Sequence, residues 1–414
     1  MLQAMYSGIS AIEAHQERMD VIGNNIANVN TTAYKAGRVT FQDQLSQTLQ
    51  GAGAATDSVG GTNPQQLGLG VRVGSIDTLM SQGGLQSTSK PTDMAIQGNG
   101  FFMLGNATGV SYTRDGSFTL DSNGNLVNGS DGSYVLGWKA DANGKIDPTQ
   151  QISPASHLSI PVGGLTAVQP TSGVSFGGNL SAEDAGGDTY SRSVAVYDSL
   201  GEKQNVTLTF QRDTTDAANH TWKWTSSGDA GAAGSGTISF DPAGTGKVVG
   251  STGAITLNPT DGATLNQAIK PDFSQVTQIS GSSSASPTNQ NGFGPGTLQS
   301  FSIDQTGAIS GIFNNGLTRV LGQVAMSDFP NPAGLERGGG DTYRASINSG
   351  LPSVGTALSG SLGKISTGYL EQSNVDLSSE FTNMIVTQRG FQANTKIVTT
   401  VDEMLNNVIQ MKQG

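Results

Sequence analysis

The sequence predicts a mostly β chain: one β domain with a second β domain inserted into it, joined to an α-helical terminal domain that the N- and C-terminal segments build together. Three observations carry this. All 14 prolines lie between Pro64 and Pro352, and only six of the 58 glycines fall in residues 1–50 and 364–414. Both ends repeat apolar residues at helical steps, whereas the middle alternates apolar and polar residues between turn signals. An apolar helical stripe must be covered, so the two ends are expected to pack on each other, on other copies, or on both.

At 414 residues the chain has room for two to four domains. Glycine stands at about twice the usual ~7%, and charged residues at about half the usual ~25%. The net charge of −11 disfavours nucleic acid and anionic lipid. No apolar run approaches the ~20 residues that span a bilayer. Met1-Leu2-Gln3-Ala4-Met5 offers neither a basic n-region nor an apolar h-region, so no conventional signal peptide is expected. Cysteine is absent, which excludes disulfides and thiolate metal sites. Export by a route that reads no cleaved signal fits both facts; a cytosolic chain that happens to lack cysteine is the plainer alternative.

The first helix is expected from Leu2 to Val29, about 40 Å at ~1.5 Å per residue. Leu2, Met5, Ile9, Ile12, Met19 and Ile26 fall on a seven-residue frame, with Ile22 beside them. The helix should stop in Asn28-Val29-Asn30-Thr31-Thr32, where Asn and β-branched residues favour a turn. Residues 36–75 read as a linker, with a short helix over Phe41–Leu49 and a loop over Gly51–Pro64. From Leu67 the pattern turns β. Gly100–Leu104 reads as a buried strand, and Val110–Leu120 as a hairpin around Asp115-Gly116. The strings starting at Asp121, Asp141 and Asp304 each place Gly three residues after Asp and read as hairpin tips. Strands are expected at Val194–Tyr197, Val206–Phe210, Trp222–Trp224, Leu298–Phe313 (a hairpin) and Val320–Met326. A last helix spans about Val375–Met411, with Leu377, Phe381, Met384, Phe391, Val398, Val401, Leu405 and Val408 at three- and four-residue steps. The expected domains are 1–35 with 368–414 (helical), 76–147 with 296–367 (inner β) and 148–295 (inserted outer β).

No catalytic, metal or cofactor site is expected. Gly173-Val174-Ser175-Phe176-Gly177 matches a nucleophile elbow, but no strand–turn–helix is readable there. Gly68–Gly74 resembles a phosphate loop yet opens into a strand. Asp121–Asn125 starts like a calcium loop, but Gly124 comes too early and the twelfth position is Gly132. Of the three histidines, His15 is placed on the polar side of the first helix, solvated or at an interface.

The informative string is Asp20–Lys35, which holds Asn24, Asn25, Asn28 and Asn30. Asn is a poor helix-interior residue, and C-terminal capping accounts for Asn28 and Asn30 but not for Asn24 and Asn25. Side chains that donate and accept at once suit a repeated contact between subunits. Asn24, Asn25 and Asn28 therefore join the apolar residues of both stripes as the candidate assembly interface.

That string, set behind a heptad helix, resembles the signature of the bacterial flagellar rod and hook proteins. Leu370–Phe381 and Gln388–Asn394 are similar to that family's C-terminal signature, and Gln97–Phe102 and Tyr112–Phe118 to its internal segments. Rod members are shorter and lack most of the 148–295 insert. Its presence, with Val196–Gly201 and Leu321–Phe329, looks like the hook branch, while the long 42–75 linker also resembles the distal rod. The resemblance implies a structural, non-enzymatic subunit on the outside of the cell. It would polymerise with itself into a curved flexible tube, the universal joint that carries torque from rod to filament. The implied partners are a hook cap protein, a distal rod protein, a hook–filament junction protein and the flagellar type III export apparatus, with no nucleic acid, membrane insertion or cofactor. A distal rod protein and a secreted β-rich adhesin are the other readings. On the hook reading the stripes are expected to be buried mostly between subunits.

Overall fold

The structure is a computed structural model that describes residues 2–54, 60–106, 109–141, 144–160, 163–164, 166–184, 187–216 and 220–413, the side chains of residues 2, 412 and 413 excepted. Two long helices, α1 (Leu2–Ala27) and α2 (Leu377–Gln413), bracket a chain that is otherwise strands and turns. They run antiparallel against each other. Gly8 faces Val398, Gly390 faces the His15 ring, and Arg18 donates to Asn383 Oδ1 at 3.2 Å. Glycine at both crossings lets the axes approach: a Cβ on Gly390 would lie 2.8 Å from His15 Cε1. No helix among the described residues is long and apolar enough to cross a membrane.

Residues 37–78 are not a helix and loop. Gly37–Asp43 pairs antiparallel with Val71–Thr78, and Ser46–Gln50 with Gln65–Gly68, which makes a two-stranded ribbon. The expected Phe41–Leu49 helix is thus corrected to strand. Val39 and Phe41 alternate opposite Ile76 and Val73, and this cross-strand pairing overrides the local preference of a Gln- and Leu-rich run. Gly53 bridges Thr62 beyond it, while residues 55–59 of the expected loop lie outside the described residues. The ribbon lies along α1: Phe41 meets the His15 ring edge-on at 5.8 Å, Val71 N–H reaches Ser10 Oγ at 3.4 Å, and Gln3 bonds Gln47 at 3.0 Å.

Among the described residues the inner β unit is built mainly on two sheets, with the short pair Met94–Gln97 and Lys364–Thr367 beside them. One, of nine strands, centres on Phe101–Asn106 flanked by Gly109–Thr113 and Tyr134–Val135. The other runs Gly137–Lys139, Thr318–Val324, Ala308–Phe313, Phe293–Ile303, Thr166–Gln169. Strand alternation sends Phe102 and Leu104 into one core with Phe118, Leu126, Leu298, Ile309 and Val324. Phe101 and Met103 enter a second core on the opposite face, with Tyr112, Trp138, Phe329 and Tyr343. The expected hairpin over Val110–Leu120 is not formed. Gly109–Thr113 pairs with Phe101–Asn106, whereas Phe118–Leu120 crosses over to pair with Leu126–Asn128. Asp115 is the reason: its carboxylate accepts Ser117 N–H at 3.0 Å and Ser117 Oγ–H at 2.8 Å, a bend rather than a hairpin turn. The tip at Asp121 does form a hairpin, with Leu120 opposite Leu126 and Gly124 at φ 79°. The tip at Asp304 does likewise, pairing Ile303 with Ile309. At Asp141 the carboxylate accepts Lys145 N–H at 2.8 Å, while Ala142 and Asn143 lie outside the described residues.

The outer unit is a nine-stranded sheet around Trp222, Trp224, Phe176, Phe210 and Phe273, and the rings of Phe176, Phe210 and Trp224 lie 5.3–6.0 Å from that of Phe273. The chain leaves the inner unit at Gln169 and returns at Phe293, and these two residues are paired neighbours.

Candidate assembly interface

The helix pair covers its own stripes only in part. Ile22 and Val401 are buried. Met5, Ile12, Met19, Ile26, Asn28, Met384, Phe391, Val398 and Leu405 are half-buried. Ile9, Asn24, Leu377, Phe381 and Val408 stay exposed, and the Leu2 side chain lies outside the described residues. The two stripes therefore meet inside one chain over part of their surface and leave Ile9, Leu377, Phe381 and Val408 open. An apolar face of α2 remains open, where Ile385 and Val386, not foreseen from the sequence, extend the expected Phe381: Phe381 is 51%, Ile385 59% and Val386 56% exposed. The signal for it was present in the adjacent apolar pair Ile385-Val386, which no single helical stripe accommodates.

His15 is not on a solvated side. Its ring is wedged between Gly390 of α2 and Phe41 of the ribbon, and its buried Nδ1 has no hydrogen-bond partner among the described residues. Burial, and then the neighbouring Arg18 charge, hold its pKa below the ordinary 6.5.

Asn25 does not offer itself to a neighbour. It is 1% exposed, and its amide brackets Gly37 through Nδ2–H to Gly37 O (2.8 Å) and Gly37 N–H to Oδ1 (2.9 Å). It also reaches Glu380 of α2 at 3.2 Å and receives Tyr34 O–H at 3.3 Å. One residue thus fixes the chain as it leaves α1, the root of the ribbon, and the start of α2. Asn24 accepts from Asn28 Nδ2 on both its carbonyl (2.9 Å) and its side-chain oxygen (2.8 Å), which closes the end of α1. Asn30 is exposed.

Below Asn25 lies a buried ionic node that sequence reasoning missed. Lys35 Nζ meets Glu371 Oε1 at 2.6 Å, with both side chains at 0% exposure, and Arg114 Nη1 approaches Glu371 Oε2 at 3.5 Å. Lys35 also donates to Ser81 O at 2.8 Å, and Gly83 N–H to Glu371 Oε1 at 2.8 Å. Arg337 donates to Lys35 O and stacks over Tyr34 at 5.1 Å. Two cations share one carboxylate. Burial pulls the Lys35 pKa down, and the Glu371 charge opposes that shift. Asn374 completes the seam by accepting Ala36 N–H at 2.8 Å and donating to Leu79 O at 2.8 Å. Asp376 then caps α2, accepting Ser379 Oγ–H at 2.9 Å, Ser379 N–H at 3.3 Å and Ser378 N–H at 2.9 Å, and these bonds hold its carboxyl below the ordinary range. The node locks both helices onto the inner β unit, so the helix pair has a fixed footing. The strings weighed as catalytic have other places. Ser175 sits inside strand Gly173–Asn179, paired on both sides, and Gly70 lies in the ribbon against Ser10.

Comparison with known proteins agrees with this layout. Residues 5–35 match the family model "Flagella basal body rod protein", residues 95–168 "Flagellar hook protein FlgE/F/G D1 domain", residues 165–293 "Flagellar basal body protein FlaE D2 domain", and residues 366–411 "Flagellar basal body rod FlgEFG protein C-terminal". The chain is 38% identical over 468 residues to the flagellar hook protein FlgE of Treponema pallidum, covering 100% of both chains. It is likewise 38% identical to that of Borreliella burgdorferi over 446 residues, covering 100% of both. The flagellar basal-body rod protein FlgG of Bacillus subtilis is 32% identical over 414 residues, again at 100% coverage of both. A solved Helicobacter pylori flagellar hook protein shares the fold with a TM-score of 0.50 and 17% identity, over 69% of this chain and 100% of that one. The chain belongs to the flagellar hook protein family.

Proposed function

We propose that this member of the flagellar hook family is the repeating subunit of a hook: a curved, flexible tube that it forms with itself and that passes torque from rod to filament as a universal joint. The observation that carries the reading is the open apolar face of α2, with Phe381, Ile385 and Val386 exposed on a helix pair already anchored at its base. Each such side chain gains about 1.5–3 kcal/mol on burial, which offsets the ordering of the ends as copies join. Contacts that run head to tail without closing make a helical polymer. The outer unit supplies compliance, because its low-charge surface of hydroxyls and amides can exchange water-bridged contacts at little cost as neighbours slide.

In this reading the helices form the inner wall, and the 36–75 ribbon and the β units surround it. A hook cap, a distal rod protein, a hook–filament junction protein and the type III export apparatus are the partners. The rod reading keeps one supporting observation, the full-length similarity to a rod protein. Electron microscopy of the purified, concentrated chain decides between them. Curved tubes support the hook, straight tubes the rod, and persistent monomers would favour a secreted β-rich protein instead.

A further inference from the structure

Ser81 O is shared by two side chains from opposite ends of the chain. Lys35 Nζ donates to it at 2.8 Å and Asn374 Nδ2 at 3.1 Å, so the two nitrogens stand no farther apart than those two bonds together. An amine and a carboxamide held on one oxygen are the two halves of an amide exchange, and the surroundings supply what that exchange needs. Both cations of the node face one carboxylate, and an arginine keeps its proton, so the node balances electrically when Lys35 gives its proton up. Burial, the larger influence, drives Lys35 the same way. Glu371 Oε1, 2.6 Å from Nζ, is a base in contact with the nucleophile. Ala36 N–H donates to Asn374 Oδ1 at 2.8 Å and polarises the carbonyl. Ser81 Oγ, at 3.0 Å, and Leu79 O, at 2.8 Å, hold Nδ2 so that the carboxamide keeps this orientation. Asn374, Ala36 and Leu79 also line a cavity of about 280 Å³ through which a small product can leave.

We propose that Lys35 and Asn374 join in an intramolecular isopeptide bond, which the folded chain forms on itself with Glu371 as the base. Neutral Lys35 Nζ attacks Asn374 Cγ, and the charge gathered on Oδ1 is met by Ala36 N–H. The proton that Nζ sheds passes to Glu371 and on to Nδ2; the Cγ–Nδ2 bond breaks and ammonia leaves. One amine and one primary amide become one secondary amide and one ammonia. Glu371 ends as it began, and no cofactor or oxidant enters. The bond ties the exit of α1 to the entry of α2. Pull on either helix then meets a covalent link at the footing, where the node alone offers hydrogen bonds and ion pairs. The inference stands on this geometry and does not depend on whether copies of the chain form tubes.

Mass spectrometry of the folded, purified chain, unfolded just before measurement, tests the bond. The intact mass should fall below the sequence mass by one ammonia. Trypsin should release a branched peptide in which residues 19–38 are joined to residues 365–389, because a linked Lys35 is no longer cut. The full sequence mass, or separate peptides ending at Lys35 and Arg389, would overturn the bond, and so would a lost ammonia without the branched peptide. Asn374→Ala, checked for folding by circular dichroism, should keep its full mass; an ammonia still lost there would place the reaction elsewhere. Glu371→Gln should also keep its full mass. If that variant does not fold, Glu371→Asp takes its place and should leave part of the chain unlinked. Complete linkage in either folded Glu371 variant would remove that residue from the reaction.

Discussion

At the scale of single residues, the Lys35–Glu371–Arg114 node is where one substitution does most. Glu371→Gln leaves two buried cations without a counter-charge, and breaking a buried pair in this way costs about 3–5 kcal/mol. The variant should also gain stability as pH rises above neutral. Burial already holds Lys35 below its ordinary pKa, so the unfolded chain binds more protons than the folded one between the lowered value and 10.5. Urea unfolding at several pH values would show it, and a flat profile would mean that Lys35 is solvated. Asn25→Ala should cost about 1–3 kcal/mol, since Gly37 N–H and O both lose their partner. The sequence showed these residues without showing their roles. Lys35 and Glu371 stand 336 positions apart, and each taken alone looks like an ordinary solvated charge. Asn25 stands out because four asparagines near a helix end defy propensity, but nothing local says that it folds back on Gly37 rather than outward.

At the scale of elements, the two helices were legible because a 3.6-residue period sustained over many turns fits a helix and does not fit a strand. The ribbon was not, because Phe41–Leu49 is too short and too rich in Gln and Leu for local pattern to outweigh pairing with residues 65–78. The Asp115-Gly116 bend misled in the same way: a hairpin dipeptide was redirected by Asp115 capping Ser117. The helix pair itself should be sensitive to acid. Burial, and then the Arg18 charge, disfavour the protonated His15 ring in the fold relative to the unfolded chain, so its contribution is present above the ordinary 6.5 and is lost as pH falls below it. Protection of the α1 and α2 amides, corrected for the intrinsic exchange rate, should fall as pH drops below 6.5 while the β cores stay protected, and His15→Gln should remove that step. Equal quickening in the outer sheet would assign the effect elsewhere. Gly390→Val should force the helices apart at the same point, because a Cβ there meets the His15 ring at 2.8 Å.

At the scale of the whole molecule, the chain is a helix pair footed on one β unit that carries a second at a narrow neck. Gln169 and Phe293 are paired neighbours, so replacing residues 170–292 with a short turn should leave the inner cores folded and the tube thinner. Circular dichroism and microscopy of that variant check both points. The alternation of strands and turns made the inserted β architecture readable, while the neck's geometry depends on pairing across more than a hundred residues and has no local signature. On the proposed reading assembly belongs to the terminal helices, and the structure sharpens where to cut. Removing residues 368–414 would also remove Glu371 and the strand Tyr369–Glu371, so the informative truncation begins at Asp376. The most direct test is electron microscopy of the concentrated full-length chain beside the chain truncated at Asp376. Curved tubes from the first, and a folded monomer that forms none from the second, are the predicted result. Tubes from the truncated chain, or none from the intact one, would contradict it.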